Sequence, residues 1–247
     1  MDRDARRGAR ANSFGVAAAA YQRGRPPYPA AAVDWILDRS ARRVLDLGAG
    51  TGKLTRHLCD RGLHVVAVEP SAGMREQLAL AVPEAQLLAG TAEHIPLDDG
   101  SVDAVLVAQA WHWVHAERAL PEVARVLVPG GWLGLLWNIR DDSHGWVTEL
   151  GRIMHRHGDD NNDDPHPLVG PPFGPLERHD VAWRYRLAPE ALLDMVSSRS
   201  YVITLPADDR VAVLAEVRHL LASHPDLAGR EKLELPYVTK CFRAQLQ

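Results

Sequence analysis

The segment Val44-Leu-Asp-Leu-Gly-Ala-Gly-Thr-Gly-Lys53 holds the residues whose types and spacing could do chemistry. An apolar run of strand length ends at Gly48, Gly50 and Gly52, and a helix-like stretch follows at once. Glycines there permit a tight turn and let a ligand approach the backbone closely. Amides at the start of a helix can also donate to an anionic group. A second apolar run, His64-Val-Val-Ala-Val68, delivers Glu69 at its end, 21 residues after Gly48. A carboxylate at the carboxyl end of a strand can accept hydrogen bonds from both hydroxyls of a ribose.

Two phosphate-binding readings of this loop fail on named residues. A dinucleotide fingerprint counted from Gly48 requires glycine or alanine where Lys53 stands. A phosphate loop counted back from Gly52-Lys53 requires glycine at Leu47 and serine or threonine at Leu54.

The elements that must carry these residues are legible as alternation. Apolar runs at 43–47, 64–68, 86–89, 104–108 and 132–137 have the length and continuity of strands buried on both faces. Between them, 52–61, 71–82 and 116–127 carry apolar residues three or four apart, as helices do. Ser71 is placed to cap the second of these helices, and Pro129-Gly130-Gly131 to end the third. Strand–helix alternation of this kind predicts right-handed βαβ units and a doubly wound, mostly parallel sheet. Residues 178–187 and 231–243 read as two further strands. Residues 1–40 are expected to form a disordered, arginine-rich tail and a helical flap broken at Arg25-Pro-Pro-Tyr-Pro29. Residues 41–247 are expected to form one domain.

The pattern Asp-x-Gly-x-Gly-x-Gly over Asp46–Gly52 resembles the first motif of class I S-adenosylmethionine-dependent methyltransferases. Further segments follow in the family's order across roughly residues 41–138. Gly90-Thr-Ala-Glu-His-Ile-Pro96 resembles the segment that holds adenine, with Thr91 where many members carry aspartate. Ser101–Ala110 resembles the fourth strand and its end, and Leu120–Gly131 the helix and turn before the fifth strand. The resemblance implies a Rossmann-like α/β fold with a seven-stranded sheet and helices on both faces. It implies S-adenosylmethionine as cofactor, with S-adenosylhomocysteine as product. It assigns cofactor contacts to Asp46, Gly48, Gly50, Gly52, Glu69, Pro70, Ser71, Met74, Thr91, Ala92, Glu93, Gln109 and Ala110.

Ligands of doubly wound sheets sit outside the carboxyl ends of the strands, so residues just past the fourth and fifth strands should face the donor methyl. These are Gln109-Ala-Trp-His-Trp113 and Trp137-Asn138. A similar Gln-Ala-x-His-Trp segment, with an N-terminal Tyr-x-x-x-Arg-Pro-x-Tyr-Pro matched by Tyr21, Arg25, Pro26, Tyr28 and Pro29, resembles the trans-aconitate methyltransferase-like group of small-molecule methyltransferases. Tyr21, Arg25 and Tyr28 could then close over the cofactor, Arg25 being suited to a carboxylate. Trp111, Trp113 and Trp137 could line an apolar acceptor pocket with Tyr28, and Asn138 could orient the acceptor. His112 could accept a proton from a nucleophile or hydrogen-bond an acceptor carboxylate.

Composition narrows the remaining classes. The chain has 247 residues, 46% hydrophobic and 24% charged, with a formal net charge of −4, so no global basic field points to nucleic acid. The longest uncharged run is too short and polar to span a membrane. Cys59 and Cys241 form no CxxC or disulfide framework. The acidic run Asp159–Pro165 and the neighbouring histidines lack the spacing of a metal site. The expectation is a cytoplasmic enzyme acting on a small organic acceptor, with a carboxylic acid as a candidate. A methyltransferase for a macromolecule and a non-catalytic cofactor-binding protein remain the alternatives.

Overall fold

The computed structural model describes residues 24–156 and 164–247. In chain order the elements are α1 (Ala30–Ile36), β1 (Arg43–Leu47), α2 (Lys53–Cys59), β2 (His64–Val68), α3 (Ala72–Ala81), β3 (Gln86–Leu88), β4 (Val102–Ala108), α4 (Ala116–Val126), β5 (Leu127–Arg140), α5 (Gly145–Arg156), β6 (Glu177–Leu187), α6 (Pro189–Ser197), α7 (Ser200–Ile203), α8 (Ala207–Ser223) and β7 (Leu233–Gln245). A short 3-10 turn, Trp111–Trp113, follows β4. The strands form one seven-stranded sheet in the order β3-β2-β1-β4-β5-β7-β6. β1 is parallel to both β2 and β4, with Asp46 opposite Ala67 on one side and Leu106 on the other. β3 is parallel to β2, and β5 to β4. The order reverses between β1 and β4, which opens the crevice where doubly wound sheets bind ligands.

The chain divides into two compact units. The larger comprises Pro27–Asn138, Asp164–Val181 and Thr239–Gln247. Its core joins Val33 and Ile36 of α1, Val44 of β1, Leu54 and Leu58 of α2, Ala104 and Leu106 of β4, and Leu136 of β5. A side chain at position 134 would run into Ile36, so glycine there is what lets α1 lie against β5. Arg243 sits over the rings of Trp35 and Trp132, at 4.5 and 4.7 Å, and donates to the Trp35 carbonyl. It thereby ties the end of β7 to α1 and β5 by cation–π contact. Among the described residues the other unit comprises 24–26, 139–156 and 182–238, and its core is built on α5, α6 and α8. There Trp183 stacks on Tyr237 at 5.5 Å, and the Tyr237 hydroxyl meets Met195 Sδ.

Three local expectations are corrected. Helix α4 stops at Val126, and Pro129-Gly130-Gly131 lie inside β5 rather than ending the helix. Leu127 is already extended, with ψ 141°, and pairs with Val102 as the first residue of β5. Strand β4 starts two residues earlier than the apolar run, because Val102 buries beside Leu127. Ser71 occupies the N-cap position of α3 without a side-chain cap bond; its backbone amide is the group that bonds, to Glu69. Among the described residues no helix is long and apolar enough to cross a membrane.

Candidate active site

The glycine loop and Glu69 form one hydrogen-bonded unit. Glu69 Oε2 accepts from the Gly50 amide and Oε1 from the Ser71 amide, both at 2.9 Å. Arg75 donates to the carbonyls of Glu69 and Pro70, so the turn after β2 is clamped from α3. Burial pushes the Glu69 carboxyl up, and the Ser71 and Gly50 amides partly offset this. The loop itself turns on left-handed glycines, with φ +75° at Gly48, +58° at Gly50 and +87° at Gly52. A Cβ on Gly48 would lie 2.9 Å from the Cβ of Ala110, so the ends of β1 and β4 meet only because this position is glycine.

Asp46 lies beneath the loop, fully buried, with Oδ2 accepting a 2.6 Å bond from the Thr55 hydroxyl. Burial raises its pKa from 3.8 to about 7, against the Thr55 bond and with the nearby Glu69 charge adding to the rise. Its side chain therefore links β1 to α2. At the end of β4, Gln109 adopts φ +56°, a left-handed conformation that costs a non-glycine residue about 1–3 kcal/mol. The cost is met by two bonds to β5: the Gln109 amide donates to Leu136 O and its side chain to Asn138 O.

The 90–97 segment is fastened from α4. Thr91 and His94 pair through a tight turn, Ala92 is buried, and Glu93 accepts from the His115 amide at the start of α4. Arg125 donates to the carbonyls of Ile95 and Leu97 and to Asp99 and Glu122, while Glu122 accepts from the Ile95 amide. The Arg125 guanidinium holds the Glu122 carboxyl down at about 2. That stabilisation is complete above the ordinary glutamate pKa and is lost as pH falls through the depressed value. Arg125→Ala is expected to lower stability by about 1–2 kcal/mol and to weaken S-adenosylhomocysteine binding up to about tenfold, with Arg125→Lys recovering only part. Thermal melts and calorimetry on the three proteins check this; an unchanged affinity in Arg125→Ala would separate this clamp from the site.

On the other side of the crevice, Trp111 and Trp137 are buried and Trp113 is half-buried. The Trp137 indole N–H points at His112 Nδ1 at 3.4 Å, and the His112 ring tilts against Trp113 with centroids 4.8 Å apart. Asn138 is occupied within the fold: it donates to the Pro27 carbonyl and accepts from the Thr239 hydroxyl at 2.6 Å. Its geometry braces the 27–29 segment against β5 and β7. Tyr28 packs partly against the core of the larger unit, Met74 is buried in α3, and Pro70 is exposed. Arg25 belongs to the smaller unit, and Tyr21 lies outside the described residues.

Sequence reasoning missed Thr55, Arg75 and the Glu122–Arg125 pair. The i,i+3 spacing of the last two was a visible signal, but only of a helix-surface pair. Arg75 acts on carbonyls five and six residues back and Thr55 on a carboxylate nine back, in each case across a turn whose path the residue types do not disclose.

A parallel sheet reversing between β1 and β4, with a glycine loop and a buried acid at the reversal, defines a Rossmann-like nucleoside-binding fold. Residues 45–135 match the family model described as a methyltransferase domain. An uncharacterized methyltransferase of Mycobacterium tuberculosis is 59% identical over 95% of this chain and 96% of its own length. An uncharacterized methyltransferase-like protein of Schizosaccharomyces pombe is 33% identical over 94% of this chain and 95% of its own length. A solved structure from Anaeromyxobacter dehalogenans, described as a type II methyltransferase, shares the fold with a TM-score of 0.65 at 23% identity, over 90% of this chain and 97% of that one. The chain belongs to the class I S-adenosylmethionine-dependent methyltransferases, and it is an enzyme.

The donor set at the loop suits that cofactor. An ionised carboxylate has about four lone-pair positions, and Glu69 commits one on each oxygen to Gly50 and Ser71. One on each oxygen is left, the number that two ribose hydroxyls need.

Proposed function

We propose that this methyltransferase converts a small, partly apolar carboxylic acid to its methyl ester in the cytoplasm, as a member of the trans-aconitate methyltransferase-like group. The cofactor supplies an electrophilic methyl on a sulfonium. Glu69 receives the ribose hydroxyls, Gly48, Gly50, Gly52 and Asp46 bound the loop side, and Thr91, Ala92, Glu93, Pro70, Ser71 and Met74 surround the adenine. Gln109 and Ala110 close the cofactor from the end of β4. Tyr28 closes the cofactor site from the segment before α1, in the same unit as the glycine loop.

The observation that supports the acceptor class is the imidazole of His112 set among Trp111, Trp113 and Trp137 at the ends of β4 and β5. Such a wall favours an apolar body carrying one polar group. A carboxylate is already ionised near neutral pH and asks for no base, so positioning does most of the work. Incubation with S-adenosylmethionine and parallel panels of aliphatic and aromatic acids, alcohols and amines tests this, with products read by mass spectrometry. Methyl esters are expected; ethers or N-methyl products alone would overturn the acid assignment.

A further inference from the structure

Trp137 and His112 together fix something that neither residue fixes alone. An indole nitrogen is a hydrogen-bond donor only, so the imidazole nitrogen it faces must be the acceptor. At 3.4 Å from Trp137 Nε1, His112 Nδ1 is that nitrogen. A proton on Nδ1 would set two N–H groups against each other. The neutral ring therefore carries its proton on Nε2.

Both partners are held. Trp137 is buried in β5 and meets Phe242 edge-on, with centroids 5.8 Å apart. His112 sits in a single 3-10 turn closed by Trp113 N to Ala110 O and Val114 N to Trp111 O, with its ring against Trp113. Rotating the imidazole to exchange its nitrogens would give up the indole bond and disturb the Trp113 contact.

We propose that His112 acts as a fixed hydrogen-bond donor, through Nε2–H, to the carboxylate of the methyl acceptor, and that Trp137 is the positioning residue that sets its tautomer. This rests on the acid reading given above. A ring whose Nδ1 lone pair accepts from the indole and whose Nε2 carries the proton offers a proton, not a lone pair, at Nε2. It selects acceptors that arrive ionised over alcohols, phenols and amines, which must lose a proton during transfer. One carboxylate oxygen receives the Nε2–H bond. A lone pair on the other forms the new O–CH3 bond as the S–CH3 bond breaks, and that bonding pair stays on sulfur. The carboxylate's negative charge and the sulfonium's positive charge cancel, and no proton moves.

The first measurement is 15N NMR of the His112 ring in the full chain with S-adenosylhomocysteine bound, assigned by its loss in His112→Gln. An unprotonated Nδ1 and a protonated Nε2 are expected, with the preference relaxed in Trp137→Phe. A protonated Nδ1 overturns the proposal whether or not acids are methylated. The second is calorimetry of an acid acceptor binding to the same complex. His112→Phe is expected to bind it about tenfold or more weakly, and His112→Gln, which keeps an amide N–H, to recover most of the loss. Equal binding by all three overturns the donor role. Wild type and His112→Gln are expected to share a flat kcat/KM between about pH 6.5 and 9. A limb rising with pH in wild type and absent from His112→Gln would identify a base and overturn the proposal. A protonated Nε2 with no acid methylated at all would instead refute the acid reading, and the carboxylate partner with it.

Discussion

Glu69→Ala is expected to bind S-adenosylhomocysteine on the order of a hundredfold or more weakly than wild type. Each bond from a hydroxyl to an ionised acceptor is worth roughly 1.5–3 kcal/mol net, and the geometry leaves Glu69 one lone pair per oxygen for such bonds. The substitution also strips the Gly50 and Ser71 amides of their acceptor, so the loop loses its clamp together with the ligand contact. Glu69→Gln keeps one oxygen acceptor and the side-chain volume but sets its N–H2 against the other backbone amide. It should fall between the other proteins both in calorimetry and in melting temperature. Wild-type affinity in Glu69→Ala would remove Glu69 from the cofactor site.

The second large effect is a pH dependence of stability from Asp46. Its folded pKa of about 7 lies above the ordinary value of 3.8, because burial disfavours the charged form. A raised folded pKa means that the neutral form is the one the fold prefers. Asp46 therefore destabilises nothing below about pH 4, and stability is lost as pH rises from there through about 7. The full shift corresponds to at most about 4 kcal/mol. Asp46→Asn retains an oxygen for Thr55 and cannot ionise, at the cost of a buried amide N–H2 group. That cost is independent of pH, so the difference between the wild-type and Asp46→Asn unfolding free energies carries the signal. It should change by up to about 4 kcal/mol between about pH 4 and 8, with the variant gaining on wild type. Parallel curves from chemical denaturation across that range would show that Asp46 titrates normally in the folded protein.

How much of this was visible in the sequence depends on the range of the interaction that decides each feature. β1 and β2 were legible to the residue, since each is a buried apolar run stopped by glycine or an acid. The glycine loop was legible for the same reason: its φ values are a local property that only glycine meets cheaply. The left-handed Gln109 was invisible, because its cost is offset by bonds to Leu136 and Asn138 on another strand. Asn138 drew a functional expectation from its position at a strand end, and its structural bonds to Pro27 and Thr239, far away in sequence, could not be read there. His112 was legible as a candidate with two possible roles, and the indole that faces its ring comes from β5, 25 residues later.

The position of β7 between β5 and β6 has a consequence for synthesis. While the chain is being made, β1 to β5 can assemble in the order in which they emerge, since each later strand of that set joins one already present. β5 then waits with an unpaired edge, and β6 has nothing to join, until residues 233–245 have left the ribosome. For that interval the nascent protein shows an open strand edge, the kind of surface on which neighbouring chains pair and aggregate. The last step of sheet assembly is thus also the step that ends the chain's exposure, and the cofactor loop on β1 can be built well before it.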